Sequence, residues 1–373
     1  MRIGILTLPL HTNYGGILQA YALQTVLERM GHEVKIINKV SYKEIPWYKL
    51  IFLYISRAFQ KKILRRKDIH IFKERDYFRS ISPKRKHVNK FIKKYMNIRN
   101  VCDMTEVREH DYDTIVVGSD QIWRFRYIMS MLEDAFLSFA RHWNINRVAY
   151  AASFGVDTWE FSEDDTQWIR PLVKLFKAIS VREQSGVQLC NDFLQEEAVQ
   201  VLDPTLLLTA DDYNNLARNS ESYVGNLMCY ILDKCSYKDS VVKEIAEVTK
   251  LIPFDTTPND EKEAQPPVEK WLHAFSQSEM VITDSFHACV FSIIFHKPFI
   301  AIANETRGKA RFTSLLSMFD LEDRLIEEGS SFSMNEALYS IDYTKVDKLL
   351  NEWRSLSMDF IKKNVVRACP PLL

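Results

Sequence analysis

The residues in this chain that could do chemistry stand where apolar runs stop. His287 closes the stretch Thr283-Asp284-Ser285-Phe286-His287, and the apolar run 288–295 after it reads as a helix. Aligned peptide dipoles put partial positive charge at a helix N-terminus. That is a poor place for a structural cation and a suitable one for a proton donor or acceptor. The bland alternative is a histidine satisfied within the core. Asp120 follows another apolar run, in Val117-Gly118-Ser119-Asp120-Gln121-Ile122-Trp123. A carboxylate there can accept a proton or bond a sugar hydroxyl; alternatively Ser119 or Asp120 caps a helix. Near the start, Asn13-Tyr14-Gly15-Gly16 turns a strand into a helix. The first N–H groups of such a helix have no internal partners and attract an anion or an acceptor oxygen. A glycine pair also suits a tight turn with no ligand. The spacing matches neither the G-x-G-x-x-G fingerprint nor the Walker loop.

Two cationic stretches accompany these. Arg182, in Ser180-Val181-Arg182-Glu183, directly follows a strand. Its guanidinium can hold a carboxylate or phosphate through two parallel bonds, or pair with Glu183. Arg307-Gly308-Lys309-Ala310-Arg311 follows the strand 298–302 and offers cations suited to the same groups. The six cysteines are scattered without C-x-x-C spacing, which reads as reduced thiols. No zinc-spaced Cys/His cluster and no G-x-S-x-G elbow occurs, so neither a metal nor a cofactor is expected.

The elements that must position these groups alternate. Residues 2–8 read as a buried strand, and 16–30 as a helix with Ile17, Ala20, Tyr21, Gln24 and Leu27 at helical period. Residues 33–38 are a second strand, completing a βαβ unit that favours a parallel sheet. Further strands are predicted at 113–118, 147–153, 176–181 and 197–202, and the alternation restarts beyond 223, with strands near 251–254, 280–283 and 298–302. Strand after strand ends in polar or glycine residues, and in open parallel sheets ligands bind at those carboxyl edges. The length of 373 residues suggests two domains. The connector lies near 206–222. The division is then 1–210, with a basic helical insertion at about 45–100, and 211–373, whose last helix is expected to pack back on the first domain.

Composition narrows the classes. The chain is 46% hydrophobic and 26% charged with a formal net charge of +0, so no global attraction to nucleic acid is expected. The first residues are too short an apolar run for a signal peptide. The window 45–59 carries Lys49 and Arg57 and falls short of the ~20 residues of a spanning helix. A cytoplasmic protein is therefore expected. Locally the charge is uneven: residues 57–94 hold 15 Lys/Arg and 3 Asp/Glu, a net of +12. Beside Trp47, Tyr48, Phe52 and Tyr54, this stretch could lie on an anionic membrane surface, attract an acidic substrate, or form a solvated helical insertion.

Taken in order, Asn13-Tyr14-Gly15-Gly16 with Gln19-Ala20, Val117–Trp123, Ser180-Val181-Arg182-Glu183, Asp203-Pro204-Thr205, Thr283–His287 and Lys297-Pro298-Phe299-Ile300-Ala301-Ile302 resemble the polysaccharide pyruvyl transferase family over about residues 3–310. The resemblance implies an α/β protein of two Rossmann-like domains facing across a cleft, GT-B-like. It also implies an enzyme that moves a pyruvyl group from phosphoenolpyruvate to a sugar of a surface polysaccharide or its lipid-linked precursor, forming a pyruvate ketal. His287 is then the general acid and Asp120 positions or deprotonates an acceptor hydroxyl. Asn13, Tyr14, Gly15, Gly16, Arg182, Ser285, Phe286, Arg307 and Lys309 are the binding candidates. Many members carry Arg-Leu-His where this chain has Ser285-Phe286-His287, so another cation must hold the donor. The expected partners are phosphoenolpyruvate and a glycan or lipid-linked acceptor, with peripheral contact at the inner face of a membrane through 57–94. The alternatives are a nucleotide-sugar-dependent glycosyltransferase on the same architecture and a non-catalytic homologue.

Overall fold

The described strands form two all-parallel sheets, one of seven strands and one of five. The computed structural model describes residues 1–41, 47–63, 71–258, 263–303, 308–330 and 340–365. The first sheet holds β1 (Arg2–Leu6), β2 (Glu33–Lys39), β3 (Ile98–Val101), β4 (Thr114–Val117), β5 (Asn146–Ala152), β6 (Ala178–Val181) and β7 (Ala198–Gln200). Its order is β3-β2-β1-β4-β5-β6-β7. The second holds β8 (Leu227–Tyr230), β9 (Pro253–Asp255), β10 (Met280–Thr283), β11 (Phe299–Ala303) and β12 (Leu325–Glu327), in the order β12-β11-β10-β8-β9. β4, β5, β8, β10 and β11 are buried along their whole length, as strands covered by helices on both faces must be. In each sheet the direction of winding reverses once, between β1 and β4 and between β8 and β10. Loops diverge at such a reversal and leave a crevice beyond the strand ends.

The helices in chain order are α1 (Tyr14–Arg29), α2 (Trp47–Lys62), α3 (Lys73–Tyr95), the single turns α4 (Phe125–Ile128) and α5 (Leu132–Ala135), α6 (Glu163–Val173), α7 (Gln184–Leu189), α8 (Ala210–Ala217), α9 (Ser236–Thr249), α10 (Val268–Gln277), α11 (Phe286–Ile294), α12 (Lys309–Ser317) and α13 (Tyr343–Asn364). α11 begins two residues before the apolar run suggests. Ser285 takes an extended N-cap conformation, so His287 lies inside the first turn. The short edge strands β3 and β12 escape the sequence reading, because Ile98-Arg99-Asn100-Val101 and Leu325-Ile326-Glu327 offer too few apolar residues to signal burial.

One apolar core crosses from sheet to sheet. Ile17, Leu18 and Leu23 of α1 share it with Trp271 and Phe275 of α10 and Phe291 of α11. Eleven residues of α1 are buried, since the helix has a sheet on one side and the second domain on the other. The Tyr14 hydroxyl donates to the Pro266 carbonyl at 2.6 Å, and its ring stacks on Trp271 at 5.1 Å. α13 spans both halves. At its start the Tyr343 hydroxyl donates to Lys297 O at 2.6 Å; further along, Ser357 Oγ accepts from the Leu202 amide at 3.0 Å, and Asn146 donates to Asn364 O at 2.8 Å. Among the described residues no helix is long and apolar enough to cross a membrane.

Candidate active site

The crevice beyond β1 and β4 is a cavity of about 350 Å³. The β1–α1 loop supplies Thr7, Leu10, His11 and Asn13, α1 supplies Gly16 and Gln19, and the β4 loop supplies Asp120. Asn13 caps α1, its Oδ1 accepting from the Gly15 amide at 3.1 Å. Asp120 holds a left-handed conformation (φ 61°), which aspartate tolerates better than most residues. Its carbonyl accepts from the Ile122 and Ser153 amides at 2.7 and 3.0 Å. The carboxylate thereby lies over the first turn of α1, with Oδ2 only 3.3 Å from where a side-chain carbon on Gly16 would stand. Neither Ser119 nor Asp120 caps a helix: α4 has Arg124 at its N-cap, and Ser119 Oγ donates to Ala151 O.

Gln19 joins the two loops. Its amide nitrogen donates to Thr7 Oγ1 at 3.0 Å and to Gly16 O at 2.8 Å, and its oxygen accepts from the Ser119 amide at 3.1 Å. A fully buried glutamine with every bond local to the crevice is a positioning residue. Its signal in the sequence was its place beside Asn13-Tyr14-Gly15-Gly16 in the motif that ends Gln19-Ala20, outside the apolar period of α1.

Opposite this crevice, the C-terminal edge of β10 brings up α11. Asp284 is inside the protein, accepting from the Leu232 and Asp233 amides at 2.7 and 3.0 Å and from Lys238 Nζ at 2.8 Å. These bonds tie the ends of β8 and β10 together and set the direction in which α11 starts. His287 is then pressed against the first turn of α1. A Cβ on Gly15 would fall 2.0 Å from His287 Nδ1, so only glycine admits the ring there. On its other side His287 Nε2 is 3.6 Å from Asp203 Oδ2, just beyond hydrogen-bond length, and among the described residues it has no hydrogen-bond partner. His287 is buried, but in a polar seam between domains rather than in apolar packing.

Asp203 anchors that seam. Oδ1 accepts from the Thr205 amide and hydroxyl at 3.0 and 2.6 Å, and Oδ2 accepts from Arg182 Nη1 at 2.8 Å. Burial alone would favour the neutral acid. His287, Arg182 and Thr205 outweigh it and hold the carboxyl well below the usual carboxylate range. Arg182 also donates through Nε to Glu183 Oε1 at 3.0 Å, and Ser153 Oγ donates to the same oxygen at 2.7 Å. Burial acts to discharge Arg182, but Glu183, Asp203 and Asp120 keep it firmly charged. Among the described residues, Arg182 Nη2, Glu183 Oε2 and His287 Nε2 are buried with no hydrogen-bond partner, although Nη2 stands 3.8 Å from Asp120 Oδ1. Three such atoms around one seam leave hydrogen-bonding capacity there for water or a polar ligand to meet.

Residues 13–306 match the model of the family described as polysaccharide pyruvyl transferase. The chain belongs to that family. No functionally curated protein matches it by sequence. Among solved structures, it is similar to UDP-GlcNAc 2-epimerase from Neisseria meningitidis bound to UDP-GlcNAc, at 8% identity and a TM-score of 0.51, covering 96% of this chain and 94% of that one. It is also similar to UDP-GlcNAc 2-epimerase from Methanocaldococcus jannaschii, at 13% identity and a TM-score of 0.50, covering 94% and 92%. At such identities the likeness is one of fold: two facing parallel α/β domains in the GT-B-like arrangement.

Within this pyruvyl transferase family member the sequence candidates separate. Asn13, Gly16 and Asp120 line the cavity, and Gly15, Arg182, Phe286 and His287 meet in the seam beside it. Tyr14 turns away; its side chain packs into the contact between domains. Ser285 is buried at the N-cap of α11, where its side chain makes no capping bond. Lys309 is half-exposed and ion-paired with Glu327. Arg307 lies outside the described residues. Arg311, two residues beyond Lys309, is the cation that the seam receives. Its guanidinium is buried 5.6 Å from the Phe286 ring, while that of Arg182 is 4.3 Å from the same ring. Burial and the neighbouring Arg182 lower its pKa to about 10, with Asp120 and Glu183 acting in the opposite direction, so it stays charged at neutral pH. Only the helical turn of α12 carries Arg311 inward and leaves Lys309 on the rim.

Proposed function

We propose that this enzyme transfers a pyruvyl group from phosphoenolpyruvate to a sugar of a surface polysaccharide or its lipid-linked precursor, closing a pyruvate ketal and releasing phosphate. The observation that carries the reading is His287, wedged between Gly15 and Asp203 where the two domains meet, with Asp120 over the adjoining cavity. The donor bears a carboxylate and a phosphate. Arg311, with the first turns of α1 and α11, supplies the positive field for it. Arg182 is committed to Asp203 and Glu183 and acts by holding that frame. Arg311 thus takes the place of the arginine that many members carry at the position of Ser285.

His287 in its protonated form gives a proton to the methylene carbon, and positive charge builds on C2. A sugar hydroxyl oriented by Asp120 adds to C2, and its proton returns the imidazole to the protonated form. The C2–O bond to phosphate then breaks, a second hydroxyl of the same sugar adds to C2, and its proton leaves with the phosphate. One hydroxyl proton ends on the methyl group and the other on phosphate, so the reaction needs no further cofactor. With His287 buried, donor access requires the seam to part and reclose, which also keeps water from the activated donor.

The test is phosphate release from phosphoenolpyruvate over a panel of oligosaccharides. His287→Asn, which keeps the ring's approximate volume, is expected to lower turnover by about 10²–10⁴-fold with an unaltered melting temperature. An unchanged turnover removes His287 from the role. Release from no acceptor, together with stabilisation by nucleotide sugars in a thermal-shift screen, replaces the reading by glycosyl transfer.

A further inference from the structure

The exposed apolar face of α2 lies outside the seam and plays no part in it. Tyr48, Ile51, Phe52, Ile55, Phe59 and Ile63 are all exposed, Phe52 by 72% and Ile55 by 62%. Their spacing of 3, 4, 7, 11 and 15 residues from Tyr48 puts them along one side of the helix and its final turn. A stripe of this kind normally seeks a cover. Lys49, Lys61 and Lys62 are exposed on the same helix, and Lys84, Lys86, Lys90 and Lys93 on α3. The Tyr54 and Phe72 rings meet edge-on at 5.1 Å, and Arg57 donates to Ile71 O, joining the two helices at that end.

We infer that α2 and α3 form a docking surface for an anionic lipid bilayer, with the α2 stripe sunk among the acyl chains and the lysines against the headgroups. Charge selects this occupant. Residues 57–94 carry a net +12 in a chain of net +0. Two copies meeting through this face would bring the exposed lysines of α2 and α3 together, whereas an anionic lipid surface neutralises them and also receives the aromatic and aliphatic side chains. The surface is joined to the site. Arg85 of α3 donates to Leu10 O at 2.5 Å, and Leu10 lines the cavity beside Asp120. Val88 and Phe91 anchor α3 in the core with α1. A docked molecule therefore holds the rim of its cavity near the headgroup layer, which fits an acceptor sugar carried on a lipid. This last point rests on the transferase reading; the docking itself does not.

Co-sedimentation of the full chain with phosphatidylcholine vesicles, and with vesicles also containing phosphatidylglycerol, tests the inference without donor or acceptor. Binding is expected to the anionic vesicles alone and to weaken as salt rises. The double substitution Phe52→Ser and Phe59→Ser is expected to weaken it at least tenfold, with unchanged melting and unchanged phosphate release on a soluble acceptor. Lys61→Glu with Lys62→Glu is expected to weaken it as well. No binding to anionic vesicles overturns the inference. So does binding indifferent to Phe52 and Phe59, or a dimer in solution that the same substitutions dissolve. Because binding is read apart from chemistry, each of these failures is distinguishable from failure of the transferase reading.

Discussion

Gly15→Ala probes the seam with one methyl group. The new carbon would stand 2.0 Å from His287 Nδ1, 2.1 Å from Cγ and 2.6 Å from Cε1, where ordinary contact begins at 3.4 Å. The ring must therefore retreat by 3.4 − 2.0 = 1.4 Å relative to α1. Its far side offers little room, with Nε2 already 3.6 Å from Asp203 Oδ2. A displacement of about 1 Å in a reacting group costs on the order of 10²-fold in rate. Stability responds differently. Alanine is favoured over glycine within a helix by about 1 kcal/mol, while overpacking costs about 1–3 kcal/mol. The net is a loss of about 0–2 kcal/mol by these two effects, which a protein of this size survives. The expected result is a folded variant with a slightly lowered melting temperature and about a hundredfold slower phosphate release. A variant that melts higher and keeps its rate would refute the geometry, because the imidazole would then not be held against α1.

Gly308→Ala tests the opposite rim of the seam. Its Cβ would fall 2.0 Å from the Gly155 carbonyl oxygen, at a residue with φ of +92°. Both partners are backbone, so one of the two loops must shift, and the melting temperature should fall; an unchanged melting temperature would contradict the contact. Arg311→Gln is expected to raise KM for phosphoenolpyruvate at least tenfold, and a change confined to kcat would assign the residue elsewhere. Asp203→Asn bears on acid stability. The carboxyl lies below its unfolded value of about 3.9, so its stabilisation is complete above about pH 4 and disappears as pH falls through the lower folded value. The melting gap between wild type and Asp203→Asn should therefore be widest at neutral pH and shrink as pH falls below about 4; a constant gap would show that the charge is not what stabilises.

Much of this arrangement was legible because parallel sheets write themselves locally. Buried strands such as Met280–Thr283 appear as continuous apolar runs, and the residues just after each run fall at a carboxyl edge. Asp120, Arg182 and His287 were found in that way, each shortly past such an edge. Arg311 was less visible, since Arg307, Lys309 and Arg311 look equivalent as a string. Asp203 stood out only within Asp203-Pro204-Thr205, just past the strand predicted at 197–202, although it is the shared partner of Arg182 and His287. The apolar residues of α2 were visible, but not which of them stay exposed, because nothing in the sequence says which side the rest of the chain will cover.

Sequence alone determined the α/β alternation, the doubling of the fold, the family, and the strand ends at which polar groups must gather, because period and punctuation are properties of neighbours along the chain. Only the tertiary structure decided that Gly15 makes room for His287, that Arg182 is held by Asp203 as well as by its neighbour Glu183, and that Arg311 enters the seam while Lys309 stays on the rim. Those outcomes depend on distances between residues about 20 to 270 positions apart, set by how two sheets face each other, and no local pattern encodes such a distance.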